Sequence, residues 1–154
     1  MIVEINKEAT TKGVEEFSPD AVIVAVGSTP YVPDIPGAIG KNVVNCREVL
    51  SGQKKVGGKV VMAGGGYVGC ETCFFLVHKG IDVTLVFRSF EPAPDVKHWM
   101  FRKYYQDKLK GYGVKVMPQI KSGKITPTGI NLTDKEAWKQ PILFWLLEPH
   151  QTGI

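Results

Sequence analysis

At 154 residues the chain has room for one domain, or one domain and a piece of a neighbour. Hydrophobic residues make up 44%, enough for a core, yet no apolar run approaches the roughly 20 residues that a membrane-crossing helix needs. A net charge of +4 without a polybasic, aromatic-laced run argues against a nucleic-acid surface, and three cysteines are too few and too odd for a disulfide scaffold. The start, Met1-Ile2-Val3-Glu4, lacks the basic-then-apolar order of a signal peptide, so a reducing, cytoplasmic setting is expected.

In chain order, short runs rich in valine and isoleucine predict buried strands at Ile2–Ile5, Ala21–Val26, Lys59–Ala63, Asp82–Phe87 and Val114–Met117. Between them lie segments with helical spacing. Thr10–Phe17 opens on a Thr-Thr cap candidate, and Tyr67–Lys79 is bounded by glycine at both ends. Val96–Lys110 places Trp99, Met100, Phe101, Tyr104, Tyr105 and Leu109 mostly along one broad apolar side. Gly27–Gly40 holds three prolines and reads as an extended connector, because proline brings no ladder donor and keeps its predecessor out of the helical region. Turn residues Pro127-Thr128-Gly129 predict a hairpin over Ile125–Thr133, and Pro141–Leu147 is a candidate last strand. Strands alternating with helices give the expected fold class: α/β, a Rossmann-like three-layer domain with a mostly parallel sheet and a small β-meander. The expected division is residues 1–50 as one piece with its linker and 55–150 as the main domain.

The chemistry sits in Lys59-Val60-Val61-Met62-Ala63-Gly64-Gly65-Gly66-Tyr67-Val68-Gly69, which fits G-x-G-x-x-G with a strand before it and a helix after it. Gly64 permits the tight turn, Gly66 lets a pyrophosphate approach the backbone, and Gly69 lets the helix pack close to the strand. The helix opening there offers unpaired N–H groups and the positive end of its dipole. Gly65 and Val68 belong to the same loop and first turn and are counted with the site. A Gly-rich turn that only packs tightly, or a site for another adenosyl ligand, would use the same glycines. About 20 residues beyond the first glycine, where an acid would take the ribose hydroxyls of NAD, stands Phe87, followed by Arg88. An arginine there can hold a 2′-phosphate through charge-assisted hydrogen bonds, which leans the cofactor toward NADP over NAD; an exposed arginine at a strand end is the plain alternative.

Other signals carry less. Cys70-Glu71-Thr72-Cys73 is a C-x-x-C at a helix N-terminus, a place where a thiolate is stabilised, but its residues belong to the helix that must pack on the sheet. His78, His98 and His150 have no ligand spacing, so no metal site is expected.

Ala21-Val22-Ile23-Val24-Ala25-Val26-Gly27-Ser28-Thr29-Pro30, then Pro33-Asp34-Ile35-Pro36-Gly37, then Gly64 through Thr72 together resemble the pyridine nucleotide–disulfide oxidoreductase superfamily. Over roughly residues 1–120 the chain is similar to the C-terminal half of 2-enoate reductases, 2,4-dienoyl-CoA reductases and related NADH:flavin oxidoreductases. The resemblance implies that residues 1–50 are a remnant of an FAD domain, with Gly27 at its closing segment, and that the nicotinamide domain follows. It further implies that Tyr67 flanks the nicotinamide and that Glu71 contacts its carboxamide side; without it, a surface tyrosine and a first-turn glutamate are the readings. Val26 departs from the family's usual threonine, and the family's upstream FAD glycine motif, flavin barrel and cysteine cluster have no counterpart here. Nor does Ala137–Ile154 resemble the family's continuation. The implied chain is a domain fragment, excised, truncated or frameshifted, with NADP or NAD as its dinucleotide and FAD only in the full-length context. Its partner would be an FAD-binding domain or flavoprotein subunit. A non-catalytic remnant, or an interaction module docking on a flavoprotein, is the second expectation.

Overall fold

The computed structural model describes residues 3–133 and the backbone of two later strands, Lys135–Trp138 and Ile142–Phe144. Helix α1 (Thr11–Phe17) is capped by Thr10, whose side chain accepts from the Gly13 N–H, but it buries no residue. Helix α2 (Cys46–Leu50) is short and held by a reciprocal capping box: Asn45 accepts from the Glu48 N–H, and Glu48 accepts from the Asn45 N–H. Then come β1 (Lys59–Ala63), α3 (Tyr67–His78), β2 (Asp82–Val86), α4 (Trp99–Gly111) and β3 (Lys115–Met117). Strands β4 (Ser122–Thr126), β5 (Gly129–Leu132), β6 (Lys135–Trp138) and β7 (Ile142–Phe144) complete the order.

Strands β3-β2-β1-β7 form a sheet paired in parallel throughout, and β4-β5-β6 form an antiparallel meander. Alternation along β1 and β2 splits the core into two. Val60, Met62, Val83, Leu85 and Phe87 face the helices, where Cys46 and Val49 of α2, Cys70, Cys73 and Leu76 of α3 and Leu109 of α4 meet them. Val61, Ala63 and Val86 point the other way, onto Ile120, Ile125, Ile130 and Leu132 of the meander side. The result is three layers: helices, parallel sheet, meander. Burying each such aliphatic side chain stabilises the fold by about 1.5–3 kcal/mol.

Several expected elements fall elsewhere. Ala21–Val26 is not a strand: Val22, Ile23, Val24 and Val26 are exposed, and no strand among the described residues pairs with them. Val3 and Ile5 are likewise exposed and outside any strand, while Ile2 lies outside the described residues. Helix α4 buries Leu109 and half-buries Tyr105, but Trp99, Met100, Phe101 and Tyr104 stay exposed, so the expected apolar side is largely open. The hairpin forms as β4–β5, and β7 takes the backbone place of the candidate last strand beside β1. No helix among the described residues is long and apolar enough to cross a membrane.

Candidate functional site

Sheet order places β1 between β2, which follows it in the chain, and β7, which comes last. Ligands of open α/β sheets bind outside the carboxyl ends of the strands at such a reversal. A cleft of about 1100 Å³ opens there, beyond Ala63 and Val86.

The glycine loop forms its floor. Gly64 has φ of +121° and its N–H donates to Val86 O at 2.9 Å, a conformation that lets the chain leave β1 beside the end of β2. Gly65 O accepts from Ala93 N–H at 2.6 Å. A Cβ on Gly65 would meet Phe87 Cγ at 2.5 Å, so the ring of Phe87 demands glycine here, a packing requirement beyond the site role expected of Gly65. Gly66 is the N-cap of α3 and has no side chain to cap the helix, so its first-turn amides need acceptors from elsewhere. The Tyr67 N–H donates to both carboxylate oxygens of Asp95, at 3.0 and 3.1 Å.

Gly64, Gly65, Gly66, Tyr67, Val68, Phe87 and Arg88 all line this one cleft. Tyr67 and Arg88 are exposed, whereas Phe87 is 5% exposed and belongs to the helix-side core. Its backbone thus stands where a ribose-reading residue is expected while its ring packs inward. Gly69, Glu71 and Gly27 lie outside the lining. Gly69 is buried in the first turn of α3, and Gly27 is exposed with φ of +73° just before the lining residue Ser28. Glu71 Oε1 accepts from Tyr105 Oη at 2.9 Å, which ties it to α4. Burial, and then that contact, push the Tyr105 phenol up to about 12.

The far wall was not legible as a site. It comes from the proline-rich connector and α2: Arg47 donates to Ser28 O and Oγ, at 2.5 and 3.0 Å, clasping the connector to the domain. Lys121 adds an exposed cation on the meander side. Asp95 carried no signal beyond its place after Pro92-Ala93-Pro94.

Cys46 lines the cleft but is fully buried, and Cys70 and Cys73 lie outside the lining. Cys70 and Cys73 are fully buried, and all three thiols are free. Burial pushes the Cys46 and Cys70 thiols up to about 12 and Cys73 well above its ordinary value. A redox pair needs accessible thiolate, and this environment disfavours it. Among the described residues no group of histidine, cysteine, aspartate or glutamate could hold a metal ion.

The sequence profile described as pyridine nucleotide-disulphide oxidoreductase matches residues 2–146. Cinnamate reductase of Clostridium sporogenes is 40% identical over 84 residues, 54% of this chain and 12% of that protein. NADH oxidase of Thermoanaerobacter brockii is 40% identical over 93 residues, 58% of this chain and 14% of that one. Among solved structures, a 2-naphthoyl-CoA reductase complex superposes with a TM-score of 0.77 at 23% identity, over 93% of this chain and 22% of that chain. The last likeness is one of fold. In every case the matched stretch is less than a quarter of the relative's length.

Proposed function

Since the chain belongs to the pyridine nucleotide-disulphide oxidoreductase family, whose members bind FAD and NAD(P), we propose that it is the NAD(P)H-binding domain of a flavin-dependent, 2-enoate reductase-like oxidoreductase. In this reading residues 55–150 hold the dinucleotide, and residues 1–50 are the remnant of the FAD domain and its linker. The supporting observation is the cleft at the ends of β1 and β2, floored by Gly64-Gly65-Gly66 and facing the N-terminus of α3. The donor set fits a dinucleotide: loop and first-turn amides for the pyrophosphate, Arg88 for the ribose end and Tyr67 flanking the nicotinamide. Glu71 reaches the carboxamide side in this reading by letting go of Tyr105.

When bound, the dinucleotide supplies a hydride for a flavin held elsewhere. The chain's own residues orient it and keep its charged centre on the glycine loop. Cytoplasmic placement accords with three free thiols. Calorimetric titration with NADH and NADPH tests the reading: saturable binding with a dissociation constant below millimolar is expected, together with little turnover of free FAD or FMN. Stoichiometric flavin binding by this chain alone would overturn it.

One observation favours the second reading, a non-catalytic remnant or a module that docks on a flavoprotein partner. Val22, Ile23, Val24 and Val26 on the connector side are 58–91% exposed, and contiguous apolar surface of this kind marks an interface. Dissociation constants weaker than millimolar for both nucleotides would select it.

A further inference from the structure

The loop after β2 folds back over the glycine motif. Ala93 is fully buried, has φ of +52° between Pro92 and Pro94, and donates its N–H to Gly65 O at 2.6 Å. Val96 N–H closes the turn on Ala93 O at 3.1 Å. That anchoring delivers Asp95, half-buried, to the head of α3. Both carboxylate oxygens accept from Tyr67 N–H, at 3.0 and 3.1 Å. A Cβ on Gly66 would lie 3.2 Å from Asp95 Oδ2 and 3.6 Å from its Cγ and Oδ1, so the carboxylate fills the space that the missing side chain opens. An anion resting on a first-turn amide over a bare glycine is what a bound pyrophosphate oxygen would be there.

We propose that Asp95 sets the affinity of this site for its dinucleotide, as a built-in occupant of the pyrophosphate position that the ligand has to displace. The proposal rests on the dinucleotide reading above. Entry of the pyrophosphate breaks the bond to Tyr67 N–H and leaves a carboxylate beside a group of like charge. Both effects act on the part that NADH and NADPH share, so Asp95 weakens the two equally. Without ligand the same carboxylate satisfies an amide that has no acceptor in its own helix and pins the two loops together. Asp95 is therefore a positioning residue with opposite effects on stability and on affinity.

The test uses the full chain, with Asp95→Asn and Asp95→Ala, titrated with NADH, NADPH and inorganic pyrophosphate. Asparagine keeps an oxygen for Tyr67 N–H and removes the charge, so it carries the comparison even where alanine unfolds the protein. The expected result is about tenfold tighter binding of all three ligands, equal for NADH and NADPH, or about 1.4 kcal/mol. The melting temperature of Asp95→Ala falls at the same time. A residue that only caps the helix would lose stability and affinity together. In the parent protein the Asp95 carboxyl carbon should also shift in its NMR spectrum on addition of NADH. Binding by the parent with no tightening in either variant, or an unshifted carboxyl, overturns the Asp95 proposal and leaves the site reading intact. Absence of binding by the parent and both variants at millimolar nucleotide overturns the site reading itself, and the proposal with it.

Discussion

The ring of Phe87 occupies the volume that a side chain on Gly65 would need. Phe87 cannot easily move aside, because its N–H donates to Met117 O at 3.2 Å and its O accepts from Ile120 N–H at 2.8 Å. Gly65→Ala should therefore destabilise the fold by about 1–3 kcal/mol, the usual range for overpacking. Phe87→Ala alone costs about 3–5 kcal/mol through the cavity it leaves. The double variant should cost clearly less than the sum, since the added methyl then meets open space. Urea denaturation of the three variants measures this, and strict additivity would show that the two residues do not share the volume. Phe87→Glu is not a route to NADH preference here: it puts a carboxylate into the helix-side core and should unfold the domain.

Thiol chemistry gives a second check. Cys46 and Cys70 have folded-state values near 12 against an ordinary 9, so folding favours their protonated forms. The sign follows: their contribution to stability is fully present below pH 9 and is lost as pH rises toward 12. Each such thiol lowers stability by about 1.4 kcal/mol per pH unit inside that window. Urea midpoints should be flat from pH 7 to 8.5 and fall by pH 10.5, less steeply in Cys70→Ser. At pH 8 the folded protein should react slowly with a thiol-specific disulfide reagent, and unfolding should release all three. Rapid reaction of Cys70 or Cys73 in the folded state would revive the redox reading of the C-x-x-C.

What the sequence made legible follows from where the physics is local. Lys59–Ala63, Tyr67–His78 and Asp82–Val86 stand within a residue of their expected bounds, because a buried parallel strand and a glycine-bounded helix are specified by their own residues. Ala21–Val26 has the same composition as those strands and forms none. A valine-rich run states that it needs a partner, and no described strand lies beside this one. Helix α2 is too short for periodicity to show and was not expected; the Asn45–Glu48 spacing of its capping box is the signal that would find it. The glycine loop was readable as a motif, but the Phe87 ring over Gly65 and the Asp95 carboxylate over Gly66 were not. Both come from contacts across the β1–β2 ends that no spacing rule encodes.

Glu71 offers a third prediction. Its contact with Tyr105, whose ring stacks on Phe74 at 6.0 Å, holds it on the α4 side. In the proposed reading Glu71 gives up that hydrogen bond to turn toward the nicotinamide, which costs about 0.5–1.5 kcal/mol. Tyr105→Phe should then tighten NADH about two- to tenfold while shifting stability by no more than about 1 kcal/mol. Unchanged NADH affinity in both Tyr105→Phe and Glu71→Gln would put Glu71 outside the site.

The proposed function puts the choice of cofactor at Arg88. Its side chain is exposed at the end of β2 and lines the cleft, with no hydrogen-bond or ion-pair partner among the described residues. Nothing has to be broken for it to meet a 2′-phosphate. A charge-assisted hydrogen bond contributes about 1.5–3 kcal/mol, or roughly ten- to a hundredfold in affinity. Solvent exposure and salt hold the effect toward the lower end, so NADPH should bind about tenfold more tightly than NADH at low ionic strength. Arg88→Ala should erase that preference and leave NADH binding nearly unchanged. Raising the salt from roughly 50 to 500 mM should shrink the preference in the parent and do little to the variant, since the Debye length falls well below 10 Å. Arg102 is not a substitute, because its Nη2 is held on Val96 O at 3.0 Å and it lies outside the cleft lining. Lys121 does line the cleft, so Lys121→Ala beside Arg88→Ala shows whether the phosphate is shared between two cations. Equal affinity for the two cofactors in the parent would refute the assignment. An Arg88→Ala variant that weakens both equally would instead place the guanidinium on the pyrophosphate, opposite the Asp95 carboxylate.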